Sequence, residues 1–108
     1  MTEAIVTTTL GPDRTDIAIR GEIDLANFAA VQAQINQEID NRTTAVRIDL
    51  TDVTFIDSTG LRVLFALVAT LERLQVGLEL CAPKSSPARR VIDLSGLSSL
   101  VRVVPDGG

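Results

Sequence analysis

The apolar residues of this chain change period along its length, and that change restricts it to folds in which strands and helices alternate. Val46, Ile48 and Leu50 take turns with Arg47 and Asp49, the two-residue period of a strand with one buried face. Soon after, Leu61, Leu64, Phe65, Val68, Leu71 and Leu74 recur every three or four residues, the period of a helix. Those positions cover more than one face, so the helix beginning near Thr59 is expected to be largely buried.

The same exchange of periods occurs on both sides of this segment. Ile5–Leu10 and Asp16–Arg20 read as two strands, and Gly11-Pro12-Asp13 between them is a turn sequence, which makes a hairpin. Phe28, Val31, Ile35 and Ile39 then describe an amphipathic helix of about four turns, with Gln32, Gln34, Gln37 and Glu38 toward water. Asn41-Arg42-Thr43 closes it. Thr51–Ile56 is an approach segment anchored by Val53 and Ile56. Beyond the apolar helix, Val76–Cys81 is a strand closed by Ala82-Pro83. Ser86-Pro87 opens a third helix with proline at its first position, Val91, Ile92 and Leu94 give its apolar side, and Gly96 ends it. Leu100–Val104 is a last short strand, and 105–108 are a short tail.

The element order is therefore β-β-α-β-α-β-α-β. Strands that alternate with helices pair in parallel through right-handed crossovers, while the first hairpin adds an antiparallel edge. No repeat, linker or low-complexity stretch divides the sequence. A chain of 108 residues supports one core, so a single α/β domain over 1–108 accounts for everything.

Composition narrows the chemistry. The chain has no His, which excludes Ser-His-Asp and Cys-His catalysis and His-ligated metals. Its one cysteine, Cys81, excludes an internal disulfide and a cysteine-rich zinc site; it reads as a packed small hydrophobe or a redox thiol. A net charge of −4 argues against nucleic-acid binding, which needs a positive field. Met1–Val6 lacks the basic and apolar stretches of a secretory leader, and the apolar run Val63–Ala69 is too short to cross a bilayer. The expectation is a soluble cytoplasmic protein with no metal, cofactor or membrane partner, and a monomer or weak dimer. Nothing pairs an activated nucleophile with a base, so it is not expected to be an enzyme.

Ile56-Asp57-Ser58-Thr59-Gly60 lies where the strand period gives way to the helix period. Helix N-termini carry unpaired N–H groups and a positive dipole end, so they hold an anion or a covalent phosphate well. Ser58 reads either as a phosphoacceptor or as a capping serine, with Thr59 a second hydroxyl beside it. Asp57 either orients that hydroxyl or caps the helix. Gly60 removes a side chain and would let a partner backbone approach closely. Arg62, in the first helical turn, contacts a partner or phosphate or is simply solvated. Asp24 stands where the N-cap of the first helix belongs. Asp49, Asp52 and Asp57 invite a metal or aspartyl-phosphate reading, but strand alternation spreads them apart.

Taken together, Gly21-Glu22-Ile23-Asp24-Leu25, Ile48-Asp49-Leu50, Phe55-Ile56-Asp57-Ser58-Thr59-Gly60-Leu61 and Leu94-Ser95-Gly96-Leu97 resemble the STAS domain, specifically the bacterial anti-sigma-factor antagonists. The resemblance covers nearly the whole chain in the right order. It implies a central mixed sheet with helices mainly on one face. It also implies partner switching: the unphosphorylated protein binds an anti-sigma factor, a serine kinase of the GHKL ATPase type, which then releases its sigma factor. A separate phosphatase reverses the modification. By position the acceptor is Ser58, and Asp24 belongs to the partner-binding surface with Asp57, Ser58, Thr59, Gly60 and Arg62. Some relatives of this fold instead serve transporters or lipid-trafficking complexes, so the alternative is a non-catalytic subunit docking on an ABC-type ATPase. A response-regulator receiver is rejected, since Ile5–Leu10 ends in Gly-Pro rather than an acidic pair and Pro105, not lysine, follows the last strand.

Overall fold

Ile17, Ile19 and Ile23 are buried while Arg20 between them is exposed, and this alternation turns one face of β2 (Thr15–Ile23) toward the core. The structure, a computed structural model, describes residues 3–40 and 42–105. β1 (Ala4–Leu10) pairs antiparallel with β2, from Ala4 opposite Gly21 to Leu10 opposite Thr15, as the hairpin reading expects.

The other edge of β2 is shared by two strands. β3 (Ala45–Asp49) runs parallel to Thr15–Ala18, and β4 (Val53–Ile56) runs parallel to Gly21–Ile23. β5 (Gly77–Cys81) is parallel to β3, and β6 (Arg102–Val104) is parallel to β5. The order across the sheet is β1-β2-β3-β5-β6, with β4 off that path beside β2. β4 is the element that the sequence reading leaves as an approach segment. Its burial runs buried, exposed, exposed, buried, so it has no two-residue period to detect. It extends because β2 continues past the end of β3 and needs a partner there. The register shifts between Gly21 and Glu22, and Gly21 has φ +100°; a Cβ there would collide with the carbonyl oxygen of Glu3.

Three helices complete the fold: α1 (Phe28–Gln37), α2 (Ser58–Arg73) and α3 (Pro87–Ser95). α1 and α2 pack on each other and on the sheet, and α3 packs on β4. α1 ends at Gln37 and is shorter than its apolar spacing predicts; Ile39 follows the helix but still packs against the core. α2 is not largely buried. It buries Val63, Leu64, Leu67, Val68 and Leu71 along one stripe, while Arg62, Ala69, Glu72, Arg73 and Leu74 are exposed. On α3 the buried residues are Ala88 and Ile92; Leu94, assigned to the apolar side, is 80% exposed. Two residues on from Ile92, it stands roughly 200° around the helix and so faces water. Ser86 accepts the Arg89 N–H at 3.2 Å, Pro87 opens α3, and Gly96 at φ +83° ends it. A short 3-10 turn, Leu97–Ser99, leads to β6. Of the tail, only Pro105 lies within the described residues, and Asn41 also lies outside them.

Among the described residues, no helix lies on the opposite face of the sheet. Register aligns Thr9, Asp16, Arg47, Glu79 and Arg102 in one row across five strands. Arg47 Nε donates to Glu79 Oε1 at 2.7 Å, which raises the already high guanidinium pKa, and Arg102 Nε lies 3.5 Å from Glu79 Oε2. Ile48, Leu80, Leu71 and their neighbours are shut away on the helix side. Each such side chain contributes about 1.5–3 kcal/mol by leaving water. The result is a sheet with a dry face and a charged face.

Candidate functional site

Asp57 has extended backbone, and its Oδ1 accepts the Gly60 N–H at 2.8 Å. That is an N-cap with the acceptor on the aspartate. The helical ladder starts when the Leu61 N–H donates to the Asp57 carbonyl at 2.9 Å, so the N–H groups of Ser58 and Thr59 lie ahead of it. Ser58 is exposed at the first helical position, and Thr59 is half-buried. Capping falls to Asp57, which removes the reading of Ser58 as the capping serine. Arg62 is exposed four residues further on, one turn along the same side of α2.

The loop at the end of β2 is bound directly to this cap. The Asp57 N–H donates to the Ile23 carbonyl at 3.3 Å. Gly60 is buried against the same residue. A Cβ at Gly60 would stand 2.6 Å from the Ile23 carbonyl oxygen and 2.9 Å from Ile23 Cγ2 and Ile56 Cγ1. The missing side chain therefore admits this chain's own β2 backbone, not a partner's. Gly60 lies under the site and sets its spacing, which corrects its placement on the docking surface.

Asp24 is not the N-cap of α1. Its carboxylate accepts the Ala26 N–H at 2.9 Å, and its carbonyl accepts the Phe28 N–H at 2.9 Å, so it holds a turn ahead of the helix. The N-cap position belongs to Asn27, whose side chain is used elsewhere: Oδ1 accepts the Asp24 N–H at 3.0 Å, and Nδ2 donates to the Glu22 carbonyl at 2.7 Å. Asn27 was missed from sequence, although an aspartate followed three residues later by asparagine is a turn signal. Leu25, inside that turn, is 71% exposed and was likewise not singled out.

Asp24, Asp57, Ser58 and Thr59 thus gather at the C-terminal ends of the parallel strands β2 and β4. Asp49 and Asp52 do not join them. Asp49 Oδ1 accepts the Thr51 N–H at 2.9 Å and the Thr51 hydroxyl at 2.5 Å. Cys81 is buried, 3.9 Å from Thr51 Oγ1, and burial pushes its thiol pKa up. Among the described residues no three His, Cys, Asp or Glu side chains gather to hold a metal, and no helix is long and apolar enough to cross a membrane.

Comparison with known proteins agrees with this architecture. The STAS domain model matches residues 5–106. The chain is 35% identical over 88 residues to the anti-sigma-F factor antagonist RsfB of Mycobacterium tuberculosis, covering 81% of this chain and 70% of that protein. It is 32% identical over 91 residues to an anti-sigma-B factor antagonist of Listeria monocytogenes, covering 84% and 79% respectively. Among solved structures, an anti-sigma factor antagonist from Mycobacterium paratuberculosis superposes with a TM-score of 0.84 at 27% identity, over 97% of this chain and 88% of that one.

Proposed function

The chain belongs to the STAS domain family, and on that premise we propose that it is an anti-sigma-factor antagonist, acting by binding rather than catalysis in the cytoplasm. Its partner is an anti-sigma factor that is also a serine kinase of the GHKL type. The unmodified protein docks on that kinase through Asp24, Asp57, Ser58, Thr59 and Arg62, and the kinase lets go of its sigma factor. Phosphorylation of Ser58, with Thr59 as second choice, closes the docking face, and a separate phosphatase reopens it.

One observation carries this reading. Ser58 is exposed at the head of α2 while Asp57 does the capping, so the hydroxyl is presented outward with its backbone held rigidly from below. A phosphate there adds about two negative charges beside Asp57 and close to the Asp24 turn. Like charges a few ångströms apart repel by roughly 3 kcal/mol at an effective dielectric near 20, before salt screening. Each 1.4 kcal/mol that survives is about tenfold in affinity. The helix dipole and Arg62 offset part of that charge within the protein itself, which favours the modification without favouring the complex.

Affinity capture of wild type beside Ser58→Ala and Ser58→Glu tests the proposal. Ser58→Ala should keep an anti-sigma factor, and Ser58→Glu should lose it by at least about tenfold. Incubation with the captured kinase and ATP should then phosphorylate wild type but not Ser58→Ala. Equal capture by all three proteins would remove Ser58 from the mechanism. Capture of an ABC-type ATPase instead would replace this function with the transporter-subunit reading.

A further inference from the structure

Edge strands present unpaired N–H and C=O groups, and folds usually guard them by shortness, charge, proline, bulges or cover. Two of the strands here are guarded in this way. β6 has three residues and begins with Arg102, and β4 has four residues with α3 packed against it. β1, although α1 contacts it, has none of the guards that sequence supplies. Its seven residues, AIVTTTL, include no charge and no proline, and its pairing with β2 runs without a register shift. Ile5 is 48% exposed and Leu10 is 75% exposed.

Two hydrogen bonds fix which backbone groups of β1 point outward. The Glu22 N–H donates to the Glu3 carbonyl at 2.9 Å, and the Gly11 N–H donates to the Arg14 carbonyl at 2.9 Å. In the observed register, odd-numbered residues of β1 therefore make the hydrogen-bonded pairs with β2. Ala4, Val6, Thr8 and Leu10 turn their N–H and C=O groups away from the sheet.

We propose that β1 pairs antiparallel with β1 of a second copy, about a two-fold axis at Thr7, so that two sheets become one. In this register Ala4 meets Leu10 of the second copy, Val6 meets Thr8, Ile5 meets Thr9, and Thr7 meets itself. All four outward-facing residues then find backbone partners, whereas any other two-fold register leaves at least one unpaired within β1. The seam also carries no charged side chain, so two copies of a chain with net charge −4 meet there with the least repulsion. β-branched side chains from both copies sit opposite one another and pack well across strands. This interface is separate from the docking face and does not depend on the function proposed for it.

Sedimentation equilibrium on the 108-residue chain tests the dimer, with association expected between roughly micromolar and millimolar concentrations. Thr8→Pro deletes an outward N–H that β2 does not use, and proline is tolerated in such edge positions. Thr7→Lys sets two ammonium groups against each other at the axis. Each variant should weaken association by at least tenfold with circular dichroism unchanged; should Thr8→Pro unfold, the exposed position 7 decides. The register has its own test. Thr7→Cys should form a disulfide-linked dimer under mild oxidation, because residues meeting in a non-hydrogen-bonded pair have Cα atoms about 4.5 Å apart. Thr9→Cys should not, since it meets Ile5, and buried Cys81 stays silent in both. A wild type that stays monomeric at millimolar concentration, a dimer unaffected in Thr7→Lys, or equal cross-linking by both cysteine variants would overturn the proposal.

Discussion

Adding one methyl group at Gly60 tests how the proposed docking face is held together. An alanine Cβ would lie 2.6 Å from the Ile23 carbonyl oxygen, well inside van der Waals contact, and 2.9 Å from side-chain carbons of Ile23 and Ile56. The oxygen cannot retreat cheaply, because it belongs to β2 and also accepts the Asp57 N–H at 3.3 Å. Forcing extra volume into a packed site costs about 1–3 kcal/mol. Alanine's better helix propensity returns at most about 1 kcal/mol, less in a first turn. The net loss is about 1–2 kcal/mol, or roughly 4–16 °C in Tm for a domain near this size. Thermal and urea denaturation followed by circular dichroism measure it directly. Gly77→Ala is the control, since its new Cβ would find nothing closer than 3.8 Å. Backbone amide shifts should move at Ile23, Asp24 and Asp57 in Gly60→Ala alone. A Gly60→Ala protein that melts at or above wild type would refute the claim that this glycine spaces the two loops.

Three further outcomes follow from the same geometry. Asp57→Ala should cost about 1 kcal/mol through loss of the cap, while Asp57→Asn keeps the cap and most of that stability; if Asp57→Asn still loses anti-sigma-factor binding, the charge itself is read by the partner. Cys81 should resist alkylation in the folded protein and react at once in denaturant. Because burial raises its folded pKa, the unfolded chain ionises first as pH climbs, so stability should fall above the ordinary thiol range and continue falling until the folded thiol ionises. Ile92→Ala should cost about 2–5 kcal/mol, whereas Leu94→Ala should stay within about 0.5 kcal/mol, as urea midpoints at constant m-value would show.

Much of the fold was legible because long apolar periods are strong signals. β2, β3 and α2 announce themselves through Ile17 and Ile19, Val46 and Ile48, and Leu64, Val68 and Leu71. Ser86-Pro87 and Gly96 marked α3 within a residue, since proline and glycine act through local backbone geometry. What failed was long-range. β4 is a strand only because an uncovered stretch of β2 awaits it, and Leu94 was counted as apolar without asking which way it points. At the site, Ser58, Asp24 and Asp57 were singled out from residue type and position, and the structure brings the two turns that carry them together through the Asp57 N–H and the Ile23 carbonyl. Gly60 was named but given the wrong neighbour. A missing side chain does not say whether the approaching backbone belongs to a partner or to β2. The turn held by Asn27 hid behind Asp24, because two residues able to cap stood three apart and only coordinates choose between them.

The relation between Asp24 and Ser58 is set by main-chain bonds, Ile23 to Asp57, Asp24 to Phe28 and Asp57 to Leu61, together with the Asp24, Asn27 and Asp57 side chains that close the two turns. Side chains that decorate this frame are therefore free to drift without deforming it. Leu25 and Arg62, both exposed, can be exchanged for residues of other size or sign while Ser58 stays in register. A cell keeping several such chains could insulate each circuit from its siblings by changing this fringe alone, a route to new wiring that leaves the chassis untouched.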